Sequence, residues 1–121
     1  MARPEFAHRI KSYSAASGFV YQYCFVEVQK ARRGLSLGTE YIYAVSADRK
    51  ENHPFRVFVK QSALEKWSKR ENRKLSGTEE YAIAKMRLFL AFDDAEDPAK
   101  TPTDLLVDDS NIDSLLAQLD I

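Results

Sequence analysis

Apolar and polar residues follow two different periods along this chain, and the period changes near residue 60. Residues 19–31 are rich in β-branched and aromatic side chains, as strands are. Residues 39–47 have a similar composition, and residues 55–60 alternate with period two. The segments between them, 32–38 with two glycines and 48–54 ending in proline, are typical of turns. Because these connections are short, we expect a three-stranded antiparallel meander.

After residue 60 the apolar positions take a helical period. Residues 61–74 form a predicted helix, with Leu64, Trp67 and the following Leu75 on one face. At 100° per residue its cations fall within an arc of about 140° on the opposite face; they are Lys66, Lys69, Arg70, Arg73 and Lys74. Ser76 and Glu79 have the spacing of a capping box, which predicts a second helix over residues 78–92.

The second predicted helix is apolar on two sides. One stripe consists of Ala82, Ile83, Met86, Phe89 and Leu90, and the other of Tyr81, Leu88 and Phe92. A helix that is apolar on two sides is buried on two sides. We therefore expect one stripe to cover the sheet and the other to need a further cover, such as a partner protein.

The C-terminal part is acidic and ends in a short amphipathic pattern. Residues 93–109 contain many carboxylates and two prolines, which is typical of a linker. Residues 110–119 then place leucine or isoleucine at i, i+3, i+4 and i+7, at Ile112, Leu115, Leu116 and Leu119. The predicted organisation is an α+β domain over 1–97, an acidic linker over 98–109 and a C-terminal amphipathic helix over 110–121. A short helix over residues 5–13 precedes the meander.

The tethered C-terminal helix has about three turns, and isolated helices of that length are marginal in water. It therefore needs a groove in which to dock. Its acidic side favours a site near the basic helix, in the same chain or across a dimer. A free peptide motif that folds on a separate partner is the alternative.

Composition and charge narrow the class of protein. The 121 residues fit one domain, and 45% hydrophobic with 30% charged residues is ordinary for a globular chain. Residues 1–75 carry 15 basic and 7 acidic side chains, whereas residues 76–121 carry 3 and 11. The single cysteine, Cys24, excludes an intrachain disulfide and favours a reducing compartment, so we expect a cytoplasmic protein. No apolar run is long enough for a membrane helix, and no membrane association is expected.

Candidate chemistry is sparse. Cys24 and the two histidines, His8 and His53, have no metal-ligand spacing. Cys24 lies in the middle of a predicted strand, where cysteine usually behaves as a small buried hydrophobe. The glycines at 34 and 38 do not belong to a phosphate-binding loop. We therefore expect neither catalysis nor a metal or other cofactor.

Two binding functions remain. The first is a non-enzymatic interaction module that binds a protein partner or forms a homodimer through the second apolar stripe, the aromatic face of the sheet and the C-terminal helix. Its predicted contact residues are Tyr81, Leu88, Phe92, Ile112, Leu115, Leu116 and Leu119. The alternative is nucleic-acid binding, by the basic helix and by base stacking on an aromatic sheet face. Its predicted contact residues are Lys66, Lys69, Arg70, Arg73, Lys74, Tyr21, Tyr23, Tyr41 and Tyr43.

Overall fold

The computed structural model describes residues 9–121, and its centre is a curled five-stranded sheet. The strands lie side by side in the order in which they occur along the chain. Neighbours are antiparallel except for the last pair, which is parallel. The strands are β1 (Lys11–Ser14), β2 (Val20–Arg33), β3 (Ser36–Ser46), β4 (His53–Lys60) and β5 (Asp104–Val107).

Three helices complete the fold. They are α1 (Gln61–Glu71), α2 (Gly77–Asp94) and α3 (Ile112–Gln118). Both α1 and α2 lie in the connection between the parallel strands β4 and β5, which must cross from one end of the sheet to the other. Within residues 9–121, no helix is both long enough and apolar enough to cross a membrane.

The expected α+β class is confirmed, but the sheet has five strands where the sequence predicted three. The additional strands, β1 and β5, have four residues each and pair with longer neighbours. Strand β1 replaces the end of the helix expected over residues 5–13, of which residues 5–8 lie outside the described part. Strand β5 lies inside the expected linker, where Leu105 and Val107 are buried and pair with Val57 and Val59.

The turn between β2 and β3 is much shorter than the predicted loop 32–38. The strands continue to Arg33 and Ser36, so that only two residues connect them. Gly34 adopts a φ of 60°, which favours glycine at such a tight turn. Gly38, predicted as part of the loop, lies in β3 beneath the Phe58 ring, where a Cβ would come within 2.7 Å of Phe58 Cζ.

The aromatic face of the sheet forms the core under α2. The Tyr21 ring stacks on Phe92 at a centroid distance of 4.1 Å, and Tyr13 stacks on Phe89 at the same distance. A register shift between Phe25 and Glu27 indicates a β-bulge in β2. Because one extra residue reverses the alternation, Val28 lies on the same face as Tyr41 and not on the opposite one.

Helix α2 is covered by several other elements of the chain. It contacts β4 and β5 of the sheet and also α3. The capping box predicted at its start is confirmed, since the Ser76 side chain accepts from the Glu79 amide and Glu79 accepts from the Ser76 amide. Both predicted stripes of α2 contact the sheet, since Phe89 and Phe92 pack on tyrosine rings of β1 and β2, and α3 adds a further contact.

Candidate functional site

The basic face of α1 binds the acidic segment that precedes and begins α3. Lys66 Nζ donates to Asp109 Oδ2 at 2.6 Å, and the Arg70 guanidinium donates to the Asp113 carboxylate. The hydrogen bond to Asp109 raises the pKa of the Lys66 ammonium group. Two of the five predicted nucleic-acid contacts are therefore neutralised by carboxylates 43 residues away along the chain.

A third cation of the predicted set stabilises the start of α2. Helix α1 ends at Glu71, because Asn72 takes a left-handed conformation at φ 52°, so Arg73 and Lys74 lie beyond the helix in which they were predicted. The Arg73 guanidinium binds Glu79 through two hydrogen bonds of 2.6 and 3.0 Å. This pair, together with the Ser76 amide, lowers the Glu79 pKa to about 2.

Only Lys69 and Lys74 of the five predicted cations make no ion pair within residues 9–121. They face a groove that also contains Lys30 of β2. The groove has a volume of about 530 Å³ and lies between the β2–β3 hairpin, α1 and the beginning of α2. Three of the predicted cations therefore form ion pairs within the fold, and the other two line this groove.

The four tyrosines predicted to stack on bases are all buried beneath α2. They are Tyr21, Tyr23, Tyr41 and Tyr43. The Tyr43 hydroxyl makes no hydrogen bond of ordinary geometry in the described part, and burial raises its pKa well above the usual 10. Because rings in this position are covered by the chain itself, they are not accessible to a nucleic-acid base.

The side chains predicted to bind a protein partner also lie inside the molecule. Five of them have 3% or less of their surface exposed, namely Leu88, Phe92, Ile112, Leu115 and Leu116. Tyr81 is half-buried and packs edge-on against the rings of Phe25 and Tyr41. Leu119 is partly buried against the same core. Any partner must therefore use a different surface.

Three of the seven large apolar side chains that are exposed within residues 9–121 lie at the outer end of the β2–β3 hairpin; the others are Ile10, Phe19, Val20 and Ile121. We call residues 28–37 the hairpin end. Leu35 is 96% exposed, Leu37 56% and Val28 49%. Residues 32–37 of this segment belong to the predicted glycine-containing loop. Its two leucines in Gly34-Leu35-Ser36-Leu37, one in the turn and one in β3, were the available signal for this surface.

The face of the sheet opposite α2 is closed near the hairpin end by a charged cluster. Phe58 is fully buried there beneath the Arg33 guanidinium, which lies 4.9 Å from the centre of its ring. The buried Glu40 carboxylate lies 3.5 Å from Arg33 and 3.7 Å from Arg56. Arg33 is thus held in place within the fold, whereas Lys30 and Arg32 of the same strand make no ion pair in the described residues.

The thiol of Cys24 and the imidazole of His53 are not brought together in the fold. Cys24 pairs with Ala44, and His53 pairs with the next residue of β3, Val45, so their side chains lie on opposite faces of the sheet. His8 lies outside the described residues. Among residues 9–121 no group of three or more potential ligands is arranged to hold a metal ion.

No family model, curated protein or solved structure matches this chain. The function is therefore inferred from the surface itself.

Proposed function

We propose that this protein is a small non-enzymatic protein-interaction module and that its contact surface is the hairpin end. The observation that carries this proposal is the exposure of Leu35, Leu37 and Val28 on one short segment. Clustered exposed apolar side chains mark interaction sites more often than isolated ones do.

The local backbone does not require these residues. The tight turn requires glycine at position 34, but a polar residue would satisfy the backbone equally well at position 35. Leu35 and Leu37 are absent from the core and from the apolar side chains packed against it. Burial against a partner would remove their apolar surface from water, which is favourable by about 25 cal/mol per Å².

A protein partner is better supported than a nucleic acid. Among the cations of the alternative, Lys69 and Lys74 are without an ion pair in the described chain, and none of its four tyrosines is accessible. Exposed aliphatic side chains offer no stacking surface of the kind that binds single-stranded bases. They do fit the apolar centre of a protein interface.

Site-specific photo-crosslinking in native cells tests the proposal. A photoreactive phenylalanine derivative replaces Leu35, and in a matched control it replaces Gln118, which is exposed on α3. We expect a discrete crosslinked product from position 35 and a weaker one, or none, from position 118. A second substitution, Leu37→Asp, should reduce the yield from position 35 because it places a charge in the apolar contact.

The mass of the product distinguishes the two kinds of partner. A product of twice the mass of the chain indicates a homodimer, and any other discrete mass indicates an adaptor that binds a different protein. The proposal is contradicted if position 35 gives no product, or if positions 35 and 118 give the same product at equal yield.

A further inference from the structure

The groove beside the hairpin end combines apolar side chains with a basic rim. Leu64 and Leu75 line it and are partly buried against the core. Lys30, Lys69 and Lys74 approach it from β2, from α1 and from the segment before α2. The rim therefore presents ammonium groups from three separate parts of the chain around a groove that contains two leucines.

The groove is continuous with the hairpin end. Lys30 pairs with Thr39, Val28 with Tyr41 and Arg32 with Leu37, and residues paired across two strands share a sheet face. Helix α2 packs on this same face of the sheet. A segment lying in the groove would thus extend along the exposed apolar side chains of the hairpin.

Two carboxylates in the groove argue against a uniform polyanion. Glu65 and Glu80 line it together with the three lysines. A nucleic acid would bring phosphates towards both carboxylates, and like charges placed opposite each other in an interface are costly. A protein segment carries both charged and apolar side chains and can match this mixed surface.

Helix α1 already binds a segment of this chemistry elsewhere on its surface. Lys66 and Arg70, four residues apart, pair with Asp109 and Asp113, which are also four apart. The adjoining apolar residues of that acidic segment, including Ile112 and Leu115, are buried. A similar combination of cationic groups beside apolar side chains is present at the groove, without an occupant from residues 9–121.

We infer that the groove binds an acidic amphipathic segment of a partner protein, whose carboxylates pair with Lys30, Lys69 and Lys74 and whose apolar side chains contact Leu64 and Leu75. This inference rests on the proposed function and names the chemistry of the partner.

Peptide display on the full-length protein tests the inference. A library of random peptides is selected on the immobilised protein, and enriched peptides are synthesised with a fluorescent label for anisotropy titrations. We expect them to combine Asp or Glu with Leu, Ile or Phe. The double substitution Lys69→Glu with Lys74→Glu should weaken their binding at least about tenfold, because it replaces attraction by repulsion.

The matched control is Lys50→Glu with Lys100→Glu, which makes the same change of charge at exposed residues away from the groove. It should bind the peptides as the unsubstituted protein does. Circular dichroism of both double variants establishes that they are folded. A selection that yields no peptide dependent on Lys69 and Lys74 overturns the inference.

Two further outcomes separate the inference from the proposed function. In the first, the selected peptides no longer bind a Leu35→Ser, Leu37→Ser variant but bind the Lys69→Glu, Lys74→Glu variant normally. This result would contradict the groove as the binding site while supporting the hairpin end as an interaction surface. In the second, a single-stranded oligothymidylate binds more tightly than every selected peptide, and its binding requires Lys69 and Lys74. This result would contradict the inference and identify the ligand of the groove as a polyanion.

Discussion

Individual residues in this protein perform roles that their type alone does not reveal. Position 38 of β3 takes glycine because Phe58 and the Val59 carbonyl occupy the space of a side chain, whereas Gly34 provides a turn conformation with positive φ. Asp93, in the stretch expected to be a solvated acidic linker, accepts hydrogen bonds from the Tyr13 hydroxyl and the Ala16 amide at 2.8 Å each. Burial and this carboxylate raise the Tyr13 pKa to about 12.

Gly38→Ala should destabilise the protein by about 1–3 kcal/mol, because the added methyl group overpacks the space beside Phe58 and the Val59 carbonyl. Gly77→Ala is the matched control, since a Cβ at position 77 meets no atom within 4 Å. That variant should be neutral or more stable by up to about 1 kcal/mol. Denaturation in urea measures both. Equal changes in the two variants would contradict the packing role of Gly38.

Glu79 should make the stability of the protein depend on pH. Its folded-state pKa of about 2 lies below the ordinary 4.5, so its ion pair with Arg73 contributes fully above pH 4.5 and is lost as the pH falls towards 2. Glu79→Gln retains a side chain that can accept the capping hydrogen bond but removes the charge. The variant should be less stable at neutral pH, and the difference should narrow between pH 4.5 and pH 2. A difference in unfolding free energy that is independent of pH would contradict this assignment.

At the scale of elements, the acidic C-terminal part is an integral layer of the fold. Strand β5 extends the sheet, the Asn111 side chain donates to the Leu106 carbonyl at 2.8 Å, and α3 packs on α2. The Arg87 side chain donates to the same carbonyl at 3.1 Å. These contacts tie the last part of the chain to the sheet and to α2, so the region from β5 onwards is not a flexible tail.

Leu115→Ala measures how far α3 stabilises the fold. Leu115 is completely buried, so its truncation should cost about 2–5 kcal/mol. Gln118→Ala, on the exposed side of the same helix, should change stability by less than about 0.5 kcal/mol. Thermal and urea denaturation give the comparison. If both variants have the same unfolding free energy as the unsubstituted protein, the packing of α3 contributes nothing to stability.

At the scale of the whole molecule, charge separation along the sequence becomes charge pairing in the fold. The basic residues before position 75 and the acidic residues after position 76 meet at Lys66 with Asp109, Arg70 with Asp113 and Arg73 with Glu79. The net charge of zero therefore conceals both a neutralised surface and the basic rim of the groove.

Removing the acidic partners of α1 should increase affinity for polyanions. Asp109→Asn with Asp113→Asn leaves Lys66 and Arg70 unpaired, so a heparin column should retain the double variant to a higher salt concentration. The control, Asp94→Asn with Glu96→Gln, removes the same charge from exposed positions away from α1. Because exposed pairs contribute about 0–1 kcal/mol each, both variants should stay folded. Equal retention of the two variants would mean that total charge alone governs binding.

Local patterns along the chain determined several elements. A composition rich in β-branched and aromatic residues located β2 and β3, and period-two alternation located β4. The Ser76 and Glu79 spacing located the start of α2, and the apolar spacing of Ile112, Leu115 and Leu116 located α3. These features depend on residues within a few positions of one another, so the sequence shows them directly. The two apolar stripes of α2 likewise predicted that both stripes are covered.

Only the tertiary structure decided what covers the two stripes of α2. Short strands such as β1 and β5 acquire their conformation by pairing with Val20–Tyr23 and with Arg56–Val59, not from their own four residues. The burial of the tyrosines, the pairing of Lys66 with a carboxylate 43 residues away and the exposure of Leu35 depend on which distant segments meet. Periodicity specifies that a face is apolar or basic, but the contacts between distant residues determine whether that face is covered by the chain itself or remains available to a partner.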